Sequence, residues 1–349
     1  MGREWDRRFG QPLAGHTVVQ AGKRVTKESE KLRVGFVSTT FRHHANCQFL
    51  LPLLEALDRN VLEVFAYHDG SHTDSVTRRC EAATDGFRSI HGMPESKAVQ
   101  TIRNDRIDVL FDINSHFDDA RMRLFASRAA PVQVHYLGGT GPTGLANMDW
   151  RLADDLNEPP GEGEPGSGTE RIFRLAGGIH SFRPLCATAA PSALPWMSNG
   201  FVTFGSLNAL TKMEDPVLRL WGRCLAKVPG SRLKLVKQAF RHEANRIDFS
   251  QRCADLGIDT ARLDLEAPDN RTFDDLSVYH GIDIALDTFP YNGITTTCEA
   301  LWMGVPVVTL EGDRFVAREA SGIVTRCGHS EWVARTEDDY LETVSQLCS

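Results

Sequence analysis

The chain has 349 residues, 41% of them apolar and 24% charged, which is the composition of an ordinary globular protein long enough for two domains. Its net charge of −7 is spread along the chain without a basic block or an acidic tail, which argues against a nucleic-acid partner. No apolar run approaches the length of a membrane span, and the N-terminus lacks the apolar core of a signal peptide, so no membrane partner is expected.

The eight cysteines are scattered along the chain without a C-x-x-C pair. This spacing argues against a structural zinc site and a disulfide framework, and it favours a reducing cytoplasm. Carboxylates at Asp112, Asp283 and Asp287 are potential metal ligands, but no D-x-D pair stands at an exposed strand end. No metal site is therefore predicted.

The first half of the chain alternates predicted strands with predicted helices. It opens on a polar stretch in which Trp5, Phe9 and Leu13 share one helical face, followed by a charged connector. Apolar runs then predict strands at residues 32–38, 62–67, 107–113 and 132–137, with helices over 49–57 and around 99–104. Strands that alternate with helices are typical of βαβ units and a parallel sheet.

The second half follows a proline-rich crossing at residues 155–199 and is built in the same way. Strands are predicted at residues 201–206, 232–236, 263–265, 282–286 and 305–310, helices at 217–228, 317–325 and 337–347, and the end of a further helix at 251–256. The chain ends at a helix without a clear stop signal, which leaves open whether the last element of this half is cut off.

The predicted fold class is therefore α/β, with two Rossmann-like parallel-sheet lobes and a cleft between them. The predicted parts are an N-terminal helix and connector at residues 1–31, a first lobe at 32–182, a linker at 183–200 and a second lobe at 201–349.

Residues 281–310 carry the most informative local pattern, GIDIALDTFPYNGITTTCEALWMGVPVVTL. A short strand and a Pro-Asn-Gly loop lead into three threonines that predict a capped helix start, and Gly304 with a following proline predicts its end. Free N–H groups at such a helix start favour a phosphate, and Glu299 in the predicted first turn suits a ribose hydroxyl. The alternative is an ordinary capped helix with a structural role only.

Other polar residues follow predicted strands of the first lobe, where ligands of open α/β sheets bind. His43, His44 and His116 offer imidazoles suited to general base catalysis, although a loop histidine is more often a surface residue. The glycine-rich loop at residues 138–144 lets backbone amides approach a ligand, or forms a plain wide turn. It does not match G-x-G-x-x-G, so dinucleotide binding is not predicted.

In the second lobe, Lys212 lies between a strand and a helix start, where an ammonium neutralises charge on a departing diphosphate. A solvated lysine is the alternative. Asn208 and Lys237 also follow strands. Phe289 and Tyr291 either wall a pocket or pack into a core.

The stretch DTFPYNGITTTCEALWMGVPVVTLEGDR resembles the hallmark segment of the protein O-linked N-acetylglucosamine transferase family, glycosyltransferase family 41. The bacterial members and the plant SPINDLY branch are the most similar. The resemblance covers residues 32–347 and includes LRVGFVSTTFRHHA, IDVLFDINSH, ARMRLFASRAAPVQ, MDWRLAD, FVTFGSLNALTK and VPGSRLKL, in that order. The segment before residue 32 resembles the one that joins helical repeats to the catalytic core in that family, and no such repeats occur here.

The resemblance implies a GT-B fold whose second lobe holds most of a nucleotide sugar, with UDP-GlcNAc as the leading donor. It implies transfer to Ser or Thr hydroxyls of a protein or peptide acceptor, with inversion, without a metal ion and without a cofactor other than the sugar nucleotide.

The resemblance also implies roles for individual residues. Lys212 matches the lysine that stabilises the leaving diphosphate, and Thr295 and Thr296 match threonines that contact the diphosphate and sugar. Glu299 falls at the ribose position, and His44 matches a histidine proposed to assist acceptor activation. Further residues fall on the donor side (Asn208, Tyr291, Gly293 and Lys237) or on the acceptor and sugar side (Gly138, Gly139 and His116).

Four departures from the family pattern concern ligand contacts. The proline of the loop at residues 138–144 is displaced, and Ala209 stands where an amide side chain is usual. Ile294 replaces a histidine, and Tyr291 replaces a small cysteine beside the sugar's N-acetyl group in the animal enzymes. These changes keep GDP-fucose or another hexose donor open, as well as a weakly active or inactive module that only binds a nucleotide sugar.

Overall fold

The computed structural model describes residues 2–10, 30–116, 120–139, 141–161, 170–269 and 274–349. The chain divides into two compact units, Met1–Leu185 and Cys186–Ser349. Leu13 of the predicted N-terminal helical face lies outside the described residues, as does Thr140 of the glycine-rich loop. Within the described ranges, no helix combines the length and the apolar composition needed to cross a bilayer.

The first unit is built on a seven-stranded parallel sheet in the order β3-β2-β1-β4-β5-β6-β7. Its elements are, in chain order, α1 (Gly2–Trp5), a π-helical turn (Asp6–Gly10), β1 (Leu32–Ser38), α2 (Cys47–Ala56), β2 (Leu62–His68), α3 (Ser75–Ala82), β3 (Gly86–Ser89), α4 (Glu95–Asn104), β4 (Val109–Asp112), α5 (Met122–Ala126), β5 (Val132–His135), β6 (Trp150–Ala153) and β7 (Arg171–Arg174). The strand order reverses between β1 and β4, which is where open α/β sheets bind ligands.

The second unit is built on a six-stranded parallel sheet in the order β10-β9-β8-β11-β12-β13. Its strands are β8 (Thr203–Ser206), β9 (Arg232–Val236), β10 (Leu263–Glu266), β11 (Ile284–Leu286), β12 (Val307–Leu310) and β13 (Val333–Ala334). Its α-helices are α6 (Trp196–Asn199), α7 (Asp215–Lys227), α8 (Glu243–Asp255), α9 (Thr295–Trp302), α10 (Glu319–Arg326) and α11 (Glu337–Leu347), with 3-10 turns at Leu210–Lys212, Gln238–Arg241, Thr260–Arg262, Ser277–Gly281, Phe315–Ala317 and Ser330–Trp332.

The predicted α/β fold class with two Rossmann-like parallel-sheet lobes is confirmed, because every strand pairing in both sheets is parallel. Strands of such sheets are covered on both faces and read as continuous apolar runs. In β1, five consecutive residues are buried, and α7 covers the second sheet with Leu218 and Trp221. Each unit thus has an apolar core of its own.

The strands β3, β6, β7 and β13 are absent from the prediction. They span four residues or fewer, and β7 alternates exposed and half-buried residues instead of forming an apolar run. The strand predicted at residues 107–113 is shorter, because only Val109–Asp112 pairs with β1 and β5. Neither departure moves the carboxyl edge of a sheet, where the predicted site residues lie.

Candidate active site

Most of the predicted donor-side residues lie at the carboxyl edge of the second sheet. Asn208 follows β8, Lys237 follows β9, and the loop from Asp287 to Gly293 joins β11 to α9. Because all these strands are parallel, their carboxyl ends meet at one edge.

The side chain of Asp287 forms hydrogen bonds with three other residues of this edge. Its Oδ1 accepts hydrogen bonds from the Gly293 amide at 2.7 Å and from Asn208 Nδ2 at 3.2 Å, and its Oδ2 accepts one from Thr309 Oγ1 at 2.8 Å. The side chain is 2% exposed, and burial raises its pKa to about 6 against the opposing effect of the Gly293 and Thr309 donors and of Lys212. The carboxylate that the sequence offered as a metal ligand therefore binds protein donors.

The helix α9 begins at Thr295, but the threonine cap predicted for it is wrong. Ile294 occupies the N-cap position without a side-chain cap hydrogen bond, because an isoleucine side chain has no polar atom that could accept one. The threonine hydroxyls bond elsewhere: Thr296 Oγ1 donates to Asn208 Oδ1 at 3.0 Å, and Thr297 Oγ1 donates to the Gly293 carbonyl at 3.1 Å. The hydroxyls thus lock the helix start onto the loops before it.

The first backbone N–H groups of α9 remain available to a ligand. The first helical bond runs from the Cys298 amide to the Ile294 carbonyl at 3.0 Å. In the part of the chain that the structure describes, the amides of residues 295–297 donate to no other group. Gly293 lies directly against them, and a Cβ there would stand 2.6 Å from Thr296 Oγ1. Close packing therefore requires glycine at this position.

Two half-buried ammonium groups belong to the same edge. Lys212 Nζ donates to the Asn292 carbonyl at 2.7 Å and lies 3.7 Å from the centroid of the Tyr291 ring. Burial lowers the pKa of Lys212, while Asp287 and Glu319 raise it. Lys237 Nζ donates to the Leu207 carbonyl.

Burial lowers the pKa of Lys237 to about 8; Glu299 opposes this shift, and Lys212 adds to it. Two cations and a row of unpaired amides form an arrangement suited to a diphosphate.

Glu299 lies one turn further along α9 than predicted, at the fifth helical residue, and is 5% exposed. Tyr279, in the 3-10 turn before β11, donates from its hydroxyl to Glu299 Oε2 at 3.0 Å. Burial and this carboxylate raise the pKa of Tyr279 well above its ordinary value, so the phenol remains a donor. Tyr279 was missed in the sequence, since no local pattern links it to an acid 20 residues later.

In the first unit, His44 lies after β1 and is half-buried. The Asn46 amide donates to its Nδ1 at 3.1 Å. Burial, with Arg42 and His43 nearby, lowers the pKa of His44 to about 4, so the ring is neutral at pH 7. Because Nδ1 accepts a hydrogen bond, the single proton of the neutral ring is on Nε2. In this tautomer, His44 Nε2 is a hydrogen-bond donor.

His44 also lines a polar cavity of about 750 Å³ at the carboxyl edge of the first sheet. The cavity is bounded by Thr39, Thr40, Arg42, His44, Asn46, Asp69, Gly70, Ser71, His72, His91, Gly92, Asn114, Ala120 and Arg121. Arg121 holds both oxygens of Asp69, at 2.7 and 3.1 Å. The cavity is large enough for several side chains of a polypeptide or for a small molecule.

His116 and the two glycines predicted on the acceptor side pack against the ends of neighbouring strands. His116 Nε2 lies 2.7 Å from the Thr143 carbonyl and therefore donates to it. A Cβ on Gly138 would stand 1.9 Å from the Ile113 carbonyl oxygen, and one on Gly139 would stand 2.7 Å from Ser115 Oγ. Packing accounts for both glycines, and contacts of these three residues with a ligand stay a prediction.

A buried acid–imidazole pair beneath this loop was also missed in the sequence. Asp112 Oδ2 and His135 Nδ1 face each other at 3.9 Å on adjacent strand ends, and neither atom has a hydrogen-bond partner among the described residues. The other oxygen of Asp112 accepts the amides of Asn114 and Ser115 at 3.1 and 3.0 Å. His135 Nε2 lies 3.3 Å from the Gly139 carbonyl. The pair thus contacts two loops: the one after β4, through the amides of Asn114 and Ser115, and the glycine-rich loop after β5, through the Gly139 carbonyl.

Comparison with known proteins places this chain among glycosyltransferases. The sequence profile of Glycosyl transferase family 41 matches residues 13–164 and 185–349. A probable UDP-N-acetylglucosamine–peptide N-acetylglucosaminyltransferase SPINDLY of Hordeum vulgare is 34% identical over 356 residues, covering 99% of this chain. A protein of the same name from Solanum lycopersicum is 35% identical over 356 residues and 99% of the chain. This chain spans 37% of the length of each of these two relatives.

A solved structure with the same fold is a lysine-to-methionine mutant of the Thermobaculum terrenum O-GlcNAc transferase. It superimposes with a TM-score of 0.90 and 35% identity, over 99% of this chain and 65% of that one. The similarity therefore extends through both sheets and through the strand ends that carry the candidate site.

Proposed function

The chain belongs to glycosyltransferase family 41, and on this basis we propose that it transfers a sugar from a nucleotide diphosphate donor to Ser or Thr hydroxyls of a protein. UDP-GlcNAc is the first candidate donor, because the plant relatives are named for that substrate. One observation carries the proposal. The amides of residues 295–297, which donate to no group among the described residues, lie at the same sheet edge as the ammonium groups of Lys212 and Lys237.

In the proposed reaction, the acceptor oxygen attacks the anomeric carbon from the face opposite the diphosphate. The bond between that carbon and the diphosphate oxygen breaks, the configuration inverts, and the proton of the acceptor hydroxyl is released to water. Negative charge grows on the leaving diphosphate, and Lys212 and the α9 amides stabilise it. These groups supply the positive charge that a metal ion supplies in other phosphate sites, so the proposed reaction is metal-independent.

Other residues have binding roles in this proposal. Glu299, held by Tyr279, accepts hydrogen bonds from the ribose hydroxyls, and Asn208 holds Thr296 in place for the diphosphate. His44, with its proton on Nε2, orients the acceptor oxygen as a donor. We place the reaction in the cytoplasm, where the nucleotide sugar and reduced cysteines coexist.

The identity of the donor is tested first, by measuring thermal unfolding of the protein with UDP-GlcNAc, UDP-glucose, GDP-fucose and dTDP-glucose. A donor at 100 times its Kd stabilises the native state by about 2.7 kcal/mol. We expect UDP-GlcNAc to raise the unfolding midpoint most, and transfer of labelled GlcNAc to a Ser- and Thr-containing peptide library to follow. If no nucleotide sugar shifts the midpoint, the proposal fails.

A second donor, GDP-fucose, is favoured by one observation. The Tyr291 ring stands in the loop next to the α9 start, at the position that the family resemblance puts beside the N-acetyl group of the sugar. Fucose lacks the N-acetyl group that this ring would crowd. A larger midpoint shift with GDP-fucose than with UDP-GlcNAc, followed by fucosyl transfer, would select this donor.

A third outcome is binding without transfer, to which Ala209 points because it offers no side-chain contact to the nucleotide. Calorimetric binding of a nucleotide sugar, with neither peptide transfer nor donor hydrolysis, would identify the chain as a binding module.

A further inference from the structure

We propose that Tyr291 is a positioning residue for Lys212: the face of its ring fixes the ammonium where the leaving diphosphate develops charge. This inference rests on the proposed function and adds to it a role for Tyr291 that is separate from contact with the sugar.

The contact between the two residues is short and well oriented. Lys212 Nζ lies 3.7 Å from the Tyr291 ring centroid, well inside the limit of about 6 Å for a cation–π interaction. The same nitrogen donates to the carbonyl of the next residue, Asn292, at 2.7 Å. One short loop therefore holds the ammonium by two different interactions.

The loop that carries the ring is itself held firmly. Thr288 Oγ1 donates to the Tyr291 carbonyl at 2.7 Å, and Asn292 Nδ2 donates back to the Thr288 carbonyl at 2.9 Å. The Asn292 amide donates to the Val316 carbonyl at 3.1 Å, which attaches the loop to the segment after β12. The ring is thus presented from a backbone that is fixed on both sides.

Lys212 needs such a partner because its own segment does little to hold it. It is the last residue of a single 3-10 turn, Leu210–Lys212, and a lysine side chain has four rotatable bonds ending in a point charge. Burial disfavours the charged form and lowers its pKa. A ring face stabilises the cation and restricts its position.

An aromatic ring is also better suited to this task than a further carboxylate would be. A carboxylate beside Lys212 would neutralise the ammonium and repel the incoming diphosphate. The ring is neutral and attracts the cation through its quadrupole, so the full charge remains available to an anion. Tyr291 is 37% exposed, which leaves part of the ring free for a second contact.

The experiment compares Tyr291→Phe, which keeps the ring face, with Tyr291→Leu, which keeps apolar bulk without it. Phe173→Leu in β7 serves as the matched control, since Phe173 is 52% exposed and belongs to the other unit. For each protein we measure kcat, donor Kd by calorimetry, and the pH dependence of kcat.

We expect Tyr291→Phe and Phe173→Leu to stay within about twofold of wild type. Tyr291→Leu should lower kcat about tenfold while donor Kd changes less than threefold. The alkaline limb of the pH profile of kcat should move to lower pH in Tyr291→Leu, because Lys212 loses a group that favours its charged form. In a Lys212→Met background, Tyr291→Leu should cause no further loss.

The proposal is overturned if Tyr291→Leu changes only donor Kd, which would make the ring a sugar contact, or if Tyr291→Phe is as impaired as Tyr291→Leu. A second measurement does not depend on turnover: the Lys212 ¹³Cε signal is titrated in wild type and Tyr291→Leu. We expect a lower pKa in the variant, and equal values would contradict the contact. If this pKa difference is present but the wild-type protein transfers no sugar, the contact between Tyr291 and Lys212 stands and only the proposed function is refuted.

Discussion

The carboxyl edges of the two sheets carry similar polar residues and arrange them in opposite ways. In the second unit, Asn208 bonds both to Asp287 and to Thr296, so these three side chains form one continuous network. In the first unit, His44 borders a cavity of about 750 Å³. A cavity of that size accommodates several side chains.

This difference matches the ligands proposed for the two edges. A diphosphate has one shape and a fixed charge, so groups that bind it gain from being locked in advance by a buried network. A protein acceptor presents variable side chains around its hydroxyl, and an open polar cavity tolerates that variation. The contrast predicts that substitutions at the second edge affect chemistry and stability together, while those at the first edge act on loop packing or orientation.

The largest effect is expected from Lys212→Met, which removes the ammonium from the locked edge. Loss of one such charge-stabilising group lowers kcat by about 10² to 10³, whereas donor Kd changes less. Lys227→Met is the control, because Lys227 is an exposed residue at the end of α7 whose ammonium pairs with Glu342 of α11. Peptide transfer at saturating donor gives the comparison, and equal kcat in the two variants would refute a catalytic role for Lys212.

Asp287→Asn should change how stability depends on pH. Burial raises the native-state pKa of Asp287 to about 6 from 3.8, so the native state binds this proton more tightly than the unfolded state does. The stability from this site is present below pH 4 and is lost as pH rises to about 6, by about 3 kcal/mol.

The amide side chain of the variant does not titrate, so from pH 4 to pH 6 the free energy of unfolding of Asp287→Asn should rise relative to wild type. Urea unfolding at several pH values measures this difference, in which the titration of other groups cancels. A difference that does not vary with pH would show that the carboxylate is not perturbed by its network.

Gly138→Ala tests whether the loop of the first unit is packed as tightly as its distances indicate. The added Cβ would meet the Ile113 carbonyl oxygen at 1.9 Å, so the backbone must shift, at a cost of about 1 to 3 kcal/mol in unfolding free energy. Gly141→Ala is a matched control in the same loop, because a Cβ there meets nothing within 4 Å. Equal unfolding midpoints would mean that the loop is loosely held.

The smallest effect is expected at His44. Gln has an N–H donor near the position of His Nε2 but is not a base, so His44→Gln should stay within about threefold of wild type in kcat/KM. His44→Ala should lose about tenfold, the contribution of one hydrogen bond of about 1.4 kcal/mol. Wild-type activity should show no limb from His44 between pH 5.5 and 8, because its pKa is about 4. Equal loss in both variants would instead support a base.

Much of the fold followed from the sequence because buried parallel strands are continuous apolar runs between helical patterns. The same reasoning brought Asn208, Lys212 and the start of α9 to one edge, since parallel strands end together. Strand β6 was missed because Arg151 interrupts its apolar run, and β13 was missed because it has only two residues.

The remaining features depend on long-range pairs that no local pattern encodes. Asp287 contacts Thr309 and Asn208, 22 and 79 residues away, and the Asp112–His135 pair joins two separate strands. The N-cap of α9 is Ile294 and not a threonine, which residue type alone does not reveal, because the hydroxyls of Thr296 and Thr297 bond to Asn208 and to the Gly293 carbonyl instead.

The contact between Tyr291 and Lys212 also has a consequence for protein engineering. A designer who wishes to widen the proposed sugar site would shorten Tyr291 first, because its ring is the more exposed of the two aromatic rings in the loop before α9. The same change would release the Lys212 ammonium, which lies 3.7 Å from that ring. Donor range and turnover would then change together, so selection for new donors should include second-site changes that hold Lys212 by another route.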